Sequence, residues 1–272
     1  MLRPAHTLAR YRCGIPSVKL QARASSPGRQ PTPRNRPPGA VPGLEGMTVK
    51  FEAVRSLLEG IPYIKPERAR ALYDFVLDAR PGACLELGFA HGASSCYIAA
   101  ALDELGSGRL TTVDIEDSAG RKPSIESLLA RTGLGACVTV VREVNSYNWF
   151  LAKEIERRSV NGRCHPAYDF CFVDGAKNWT VDGLAFFLVD KLLTPGGWIL
   201  FDDRNWCYAQ AEEVTGKTIT DGIVHRELSE DQRTTPNIDL VFRYLVMQHP
   251  DYGEFHLQDD AWAWARKTAH GK

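Results

Sequence analysis

Two short segments of this 272-residue chain hold residue types that could do chemistry. One is Asp174-Gly-Ala-Lys177-Asn178-Trp179; the other is Asp202-Asp203-Arg204-Asn205-Trp206. Each follows an apolar run, 168–173 and 197–201, that reads as a buried strand. In a parallel sheet the carboxyl ends of neighbouring strands lie side by side above the ligand crevice, so Asp174, Asp202 and Asp203 are expected to converge. Three carboxylates at one rim repel one another unless a cation neutralises them. A hard divalent ion with oxygen ligands does this, and Mg²⁺ is the expected occupant. Such an ion lowers the pKa of a bound hydroxyl and makes a nucleophilic oxygen near neutral pH. Lys177, near the metal in a partly dry pocket, is expected to have a lowered pKa and to act as general base. The plainer alternative is that Asp202 and Asp203 cap the segment after their strand and Lys177 is solvated.

A third segment, Glu86-Leu-Gly88-Phe89-Ala-His91-Gly92-Ala-Ser94, follows the apolar run 84–87 and opens a helix. Gly88 allows a tight turn, and Gly92 lets the backbone approach a ligand and the helix pack on the sheet. The helix N-terminus offers free N–H groups to an anion. The spacing is GxxxG, not the GxGxxG of dinucleotide sites, which disfavours NAD. Glu86 would repel a pyrophosphate and suits a ligand with a positive amino group. The methionine end of S-adenosylmethionine carries both an ammonium and a carboxylate. Glu86 is placed for the first, Ser94 and the helix N-terminus for the second, and Asp114, ending the next strand, for both ribose hydroxyls. Arg142, Glu143 and Asn145 follow the third strand and border the adenine. Phe89, Asn145 and Asp174 complete the expected cofactor contacts. Methyl transfer from such a donor is an in-line displacement, so the protein's task is to align oxygen, carbon and sulfur. The alternative for the loop is a glycine pair that serves packing alone.

The elements that must position these residues alternate. Helical patterns over 51–58, 66–77, 94–105, 124–132, 147–158 and 181–193 interleave with apolar runs at 84–87, 110–115, 137–141, 168–173 and 197–201. Continuous apolar strands between helices mean βαβ units and a parallel sheet covered on both faces. The tail adds a helix over 238–248 and two strands, 255–258 and 261–266, joined at Asp259–Asp260. The expected fold is α/β: a doubly wound, Rossmann-like seven-stranded sheet, mostly parallel, with an antiparallel C-terminal hairpin.

Together these segments resemble the catechol O-methyltransferase-like group of class I S-adenosylmethionine-dependent methyltransferases. Glu86 to Ser94 is similar to that family's ELGxxxGxS loop, and Asp114 to its ribose-binding acid. The resemblance makes Asp174 a metal ligand and Lys177 the base of an Asp-x-x-Lys motif. It also makes Asp202 the first member of a metal-binding Asp-Asn pair. Asp203 departs from Asn, and acidic pairs of this kind resemble the macrocin and cephalosporin-hydroxylase-like methyltransferases. The likeness covers about residues 60–206 and, more weakly, the final hairpin. It implies a metal-assisted O-methyltransferase for a small hydroxylated molecule, and homodimers are common in the group. Competing readings are a metal-independent methyltransferase for nitrogen or another small-molecule acceptor, and a non-methylating nucleotide-binding protein or NAD-linked oxidoreductase.

The remainder sets limits. Lys plus Arg, 33, equals Asp plus Glu, 33, so no basic field points to nucleic acid. No apolar run has membrane-spanning length. Seven cysteines without CxxC spacing read as reduced, buried thiols. Residues 1–46 carry eight Arg or Lys, one acid and a Pro/Gly/Ser cluster, and are expected to be disordered. They read either as an extension upstream of a working start at Met47, with a cytoplasmic protein, or as a transit peptide to the mitochondrial matrix. Residues 47–272 form the domain, with 205–236 an insertion that covers the acceptor. Trp179, Trp206 and Tyr208 could wall a ring substrate or simply pack under that loop.

Overall fold

A computed structural model describes residues 49–218, 227–259 and 261–268. The expected N-terminal extension and part of the insertion lie outside these residues. Seven strands form the sheet: β1 (Ala83–Leu87), β2 (Arg109–Ile115), β3 (Val138–Glu143), β4 (Tyr168–Val173), β5 (Leu193–Phe201), β6 (Tyr252–Gln258) and β7 (Trp262–Lys267). Their order is β3-β2-β1-β4-β5-β7-β6. The first five are parallel, and β7 and β6 add antiparallel at the edge. The strand order reverses at β1, so the crevice above the ends of β1 and β4 is the switch point where ligands bind in such sheets.

Helices α1 (Val49–Leu57), α2 (Pro66–Ala79), α3 (Ala93–Glu104) and α4 (Ile125–Thr132) cover one face. The other is covered by α5 (Tyr147–Arg158) and α6 (Trp179–Leu192), with α9 (Asn237–Leu240) near the C-terminus. In β1 Leu85 and Leu87 face the second layer and Cys84 the first, the period-two alternation of a strand. That alternation also turns Glu86 toward α3. In β7 Trp262 and Trp264 enter the first layer, where Trp264 meets Phe75 of α2 at 4.6 Å, while Ala263 and Ala265 face the second, whose core includes Phe242. Full burial of each such aromatic contributes roughly 2–3 kcal/mol.

Local signals explain the helix ends. Pro66 at the first turn fixes Lys65 in an extended conformation. Ser124 and Ser146 cap α4 and α5. The Asn178 side chain accepts from the N–H groups of Thr180 and Val181, which starts α6 at Trp179, two residues before the apolar pattern suggests. Such a cap stabilises a helix by about 1 kcal/mol.

Three features depart from the sequence reading. The helix expected over 238–248 is α9 followed by a π-helical turn, Val241–Val246, with Met247 N–H bonding to Phe242 O at 2.8 Å. A small hairpin, Ser159–Val160 with Arg163–Cys164, follows α5. Within the expected insertion lie α7 (Tyr208–Thr215) and α8 (Glu230–Thr234), while 219–226 fall outside the described residues. Among the described residues no helix is long and apolar enough to cross a membrane.

Candidate methyl-transfer site

The loop after β1 is held from three sides. Gly88 has φ +92°, and a Cβ there would lie 2.6 Å from Gly175 Cα and overlap the Asp174 carbonyl. Gly92, the N-cap of α3, has φ +93°, and its Cβ would lie 2.8 Å from Ile125 Cβ of α4. Both glycines are therefore demanded by packing inside the protein: Gly88 by the β4 loop and Gly92 by α4. For Gly92 this supplies the packing part of its expected role. Asp114 at the end of β2 latches the loop: Oδ2 accepts the N–H groups of Phe89 at 2.9 Å and Ala90 at 2.7 Å, and Oδ1 accepts that of Ile115 at 2.7 Å. A carboxylate has about four acceptor positions. Asp114 Oδ1, with one of these three bonds, keeps acceptor room for a further donor.

Glu86 is fully buried. Its Oε2 accepts from the Ser95 hydroxyl and, at 2.6 Å, from that of Thr112. Its Oε1 has no hydrogen-bond partner. Burial pushes the carboxyl above the usual range, and the Ser94, Ser95 and Thr112 hydroxyls offset part of that. A buried carboxylate oxygen without a partner is costly unless something else satisfies it. An ammonium group is the complementary ligand, and the open N–H groups at the start of α3 beside Ser94 suit a carboxylate.

At the ends of β4 and β5 the three acids do converge. Carboxylate oxygens of Asp174, Asp202 and Asp203 all lie within 4.8 Å of one another. Lys177 bonds to Asp174 and stands 3.4 Å from Asp203. Asp202 is buried and takes its own counter-ion, Arg68 Nη1 of α2, at 3.3 Å. Burial and then the neighbouring acids push Asp174 well up against the opposing pull of Lys177, and Asp202 is raised by burial and Asp203. Burial alone would lower Lys177, but Asp174, Asp203 and Asp202 override it and hold the ammonium above the ordinary lysine value. The lowered lysine pKa is expected beside a metal ion; with the three carboxylates alone the direction is upward.

The strand order, the β1 loop and the acidic rim coincide with one known architecture. Residues 85–204 match the family model described as a methyltransferase domain. The fold is that of the class I S-adenosylmethionine-dependent methyltransferases. An O-methyltransferase from Bacillus cereus, solved with S-adenosylhomocysteine, is 21% identical over 83% of this chain and 93% of its own, with a TM-score of 0.55. An O-methyltransferase of tomaymycin synthesis from Streptomyces achromogenes, solved with S-adenosylmethionine, is 18% identical over 83% and 92%, with a TM-score of 0.54. An S-adenosylhomocysteine-bound methyltransferase from Podospora anserina is 17% identical over 81% and 86%, with a TM-score of 0.52. No curated protein sequence matches the chain.

Other residues of this methyltransferase fold fall in different places. Asn145 is exposed at the turn between β3 and α5. Phe89 is buried under the Arg142 guanidinium, 5.4 Å from its ring. His91 bonds to Pro123 O at 2.8 Å and stacks on Tyr63, so it lines the loop. Trp206 meets Tyr208 edge-on at 5.0 Å, and Tyr208 is buried, which favours packing for that pair; Trp179 is exposed. Sequence reasoning missed Arg68, Tyr147 and Asp182. Arg68 lies 134 residues from Asp202, and no spacing signal links them. Asp182 sits among apolar residues of α6, where a buried acid is a visible anomaly.

Proposed function

We propose that the chain transfers the methyl group of S-adenosylmethionine to a hydroxyl of a small molecule, with a divalent cation held by Asp174, Asp202 and Asp203. The observation that carries this reading is the cluster of three carboxylates within 4.8 Å, contacted by Lys177, beside a buried Glu86 with an unpartnered oxygen. The donor set is all hard oxygen, which fits Mg²⁺. When bound, such an ion lowers the pKa of a coordinated hydroxyl. Glu86 and the α3 N-terminus orient the methionine end of the donor, Asp114 orients the ribose, and Phe89, Asn145 and Asp174 border the ligand. Lys177 Nζ is the side chain able to take a proton at the acceptor oxygen, and it becomes a base only when Asp174 and Asp203 are otherwise neutralised.

A metal-independent transfer, to nitrogen for example, has one observation in its favour: Lys177 and Arg68 already compensate part of the acidic charge. One experiment separates the readings. S-adenosylhomocysteine is titrated calorimetrically with Mg²⁺ or EDTA, and methyl transfer to a catechol panel is then measured in both. Micromolar binding with EDTA-sensitive transfer supports the proposal. Transfer that persists in EDTA and in Asp202→Ala removes the metal role, and absence of cofactor binding in every condition overturns the reading.

A further inference from the structure

Asp174 and Lys177 leave β4 on a loop whose backbone is pressed from both sides. Gly88 of the β1 loop abuts the Asp174–Gly175 peptide on one side. Tyr147 of α5 abuts it on the other: a Cβ at Gly175 would overlap the Tyr147 ring and lie 2.7 Å from its hydroxyl oxygen. That hydroxyl accepts the N–H of Ala176 at 3.2 Å and donates to Asp182 Oδ1. Asp182 Oδ2 accepts the N–H of Asn178 at 2.7 Å. Two buried side chains, from α5 and α6, thus hold the amides on either side of Lys177, whose own φ is +56°. A non-glycine residue stays in that region only where its surroundings over-determine it. Asp182 is fully buried, and burial raises its carboxyl against the opposing Tyr147 hydroxyl, the Asn178 amide and Lys177. The Tyr147 hydroxyl is pushed well up by burial and by Asp182, so it remains a donor at neutral pH.

We propose that Tyr147 and Asp182 are positioning residues that clamp the Asp174–Lys177 loop against Gly88, keeping the methyl-donor loop and the lysine in one register. The clamp continues outward. Asn178 Nδ2 donates to the Tyr208 hydroxyl oxygen at 3.2 Å, so the first residue of α7, in the segment after β5, is tied to the same loop. The inference rests on the methyl-transfer reading, because a positioning role needs a reaction to position.

The test uses full-length protein. Tyr147→Phe keeps the ring and removes the hydroxyl; Asp182→Asn keeps the shape and one acceptor oxygen. Misplacing a reacting group by a fraction of an ångström is expected to cost about tenfold or more in kcat with catechol, while KM for S-adenosylmethionine stays within about twofold. Amide hydrogen exchange at residues 176 and 178 should quicken about tenfold with the amides of α3 unchanged. Unchanged exchange and kcat overturn the clamp, as does a fall in kcat that merely follows lost cofactor binding and a lower Tm. Wild-type protein that binds S-adenosylhomocysteine but leaves catechol unmethylated counts against the acceptor class, and the exchange at 176 and 178 still decides the clamp.

Discussion

Arg68 Nη1 of α2 stands 3.3 Å from Asp202 Oδ1, so a side chain from the first helical layer neutralises the most buried acid of the candidate cation site. A guanidinium there competes with any metal for the same oxygen. Arg68→Met should therefore strengthen Mg²⁺ binding, by about fivefold if the pair is worth about 1 kcal/mol. The same change leaves Asp202 buried and unpaired, so the metal-free protein should lose thermal stability and regain it when Mg²⁺ is added. Calorimetric Mg²⁺ titration and a melting curve with and without Mg²⁺ check both. Weaker Mg²⁺ binding in the variant would make Arg68 a supporting partner of the site, not a competitor.

The two loop glycines should respond differently to alanine. Gly88→Ala sets a Cβ against the backbone of Gly175, which has nowhere to move, and adds positive-φ strain. A loss of about 3 kcal/mol or more is expected, by overpacking plus strain. Gly92→Ala meets the side chain of Ile125, which can be shortened. Combining it with Ile125→Ala should give a sum less than additive by about 1 kcal/mol, whereas Gly88→Ala with Ile125→Ala should be additive. Urea denaturation of the six proteins, wild type included, measures this. Additivity in both pairs would show that the Ile125 contact is relieved without cost.

Much of this was legible because it is local. The apolar runs placed all seven strands to within a few residues, since strands covered on both faces are mostly apolar and polar residues such as Glu86 and Thr112 interrupt them only singly or in pairs. Asp174, Asp202 and Asp203 could be placed together from strand ends alone. What sequence could not give was three-dimensional charge balance. Whether Lys177 is lowered by dryness or raised by carboxylates depends on distances of a few ångströms. Nor could it show that Gly92 packs against Ile125, 33 residues further along the chain. The π-helical turn at 241–246 has the same apolar spacing as an α-helix and was hidden for that reason.

Asp203 occupies a left-handed backbone position, φ +55°, and its side chain is partly exposed. Asparagine is the other residue that adopts this conformation readily. Asp203→Asn should therefore fold with a stability change within about 0.5 kcal/mol. It removes one charge beside Lys177, and Mg²⁺ affinity should fall by less than about tenfold. Asp203→Ala should add about 1 kcal/mol of backbone strain to the same loss of affinity. Thermal melts and Mg²⁺ titrations of the pair distinguish charge from conformation. Equal stability of the two variants would remove the conformational part.

Glu86 gives a pH dependence whose sign can be worked out. Burial raises its carboxyl in the folded protein above the unfolded value of about 4.3. The folded state therefore holds this proton more tightly than the unfolded chain. The resulting stabilisation is fully present below the unfolded pKa and is lost as pH rises through the raised folded pKa. An ammonium ligand at Oε1 favours the ionised form and acts in the opposite direction. The rise in Tm produced by a fixed concentration of S-adenosylhomocysteine should consequently be largest near pH 8. It should shrink as pH falls through the raised Glu86 pKa. Glu86→Gln should bind the ligand roughly tenfold or more weakly, by loss of a charge-assisted bond, and should lose this slope. A variant that keeps wild-type affinity and the wild-type slope would move the ammonium site away from Glu86, and the unpartnered Oε1 would then need another partner.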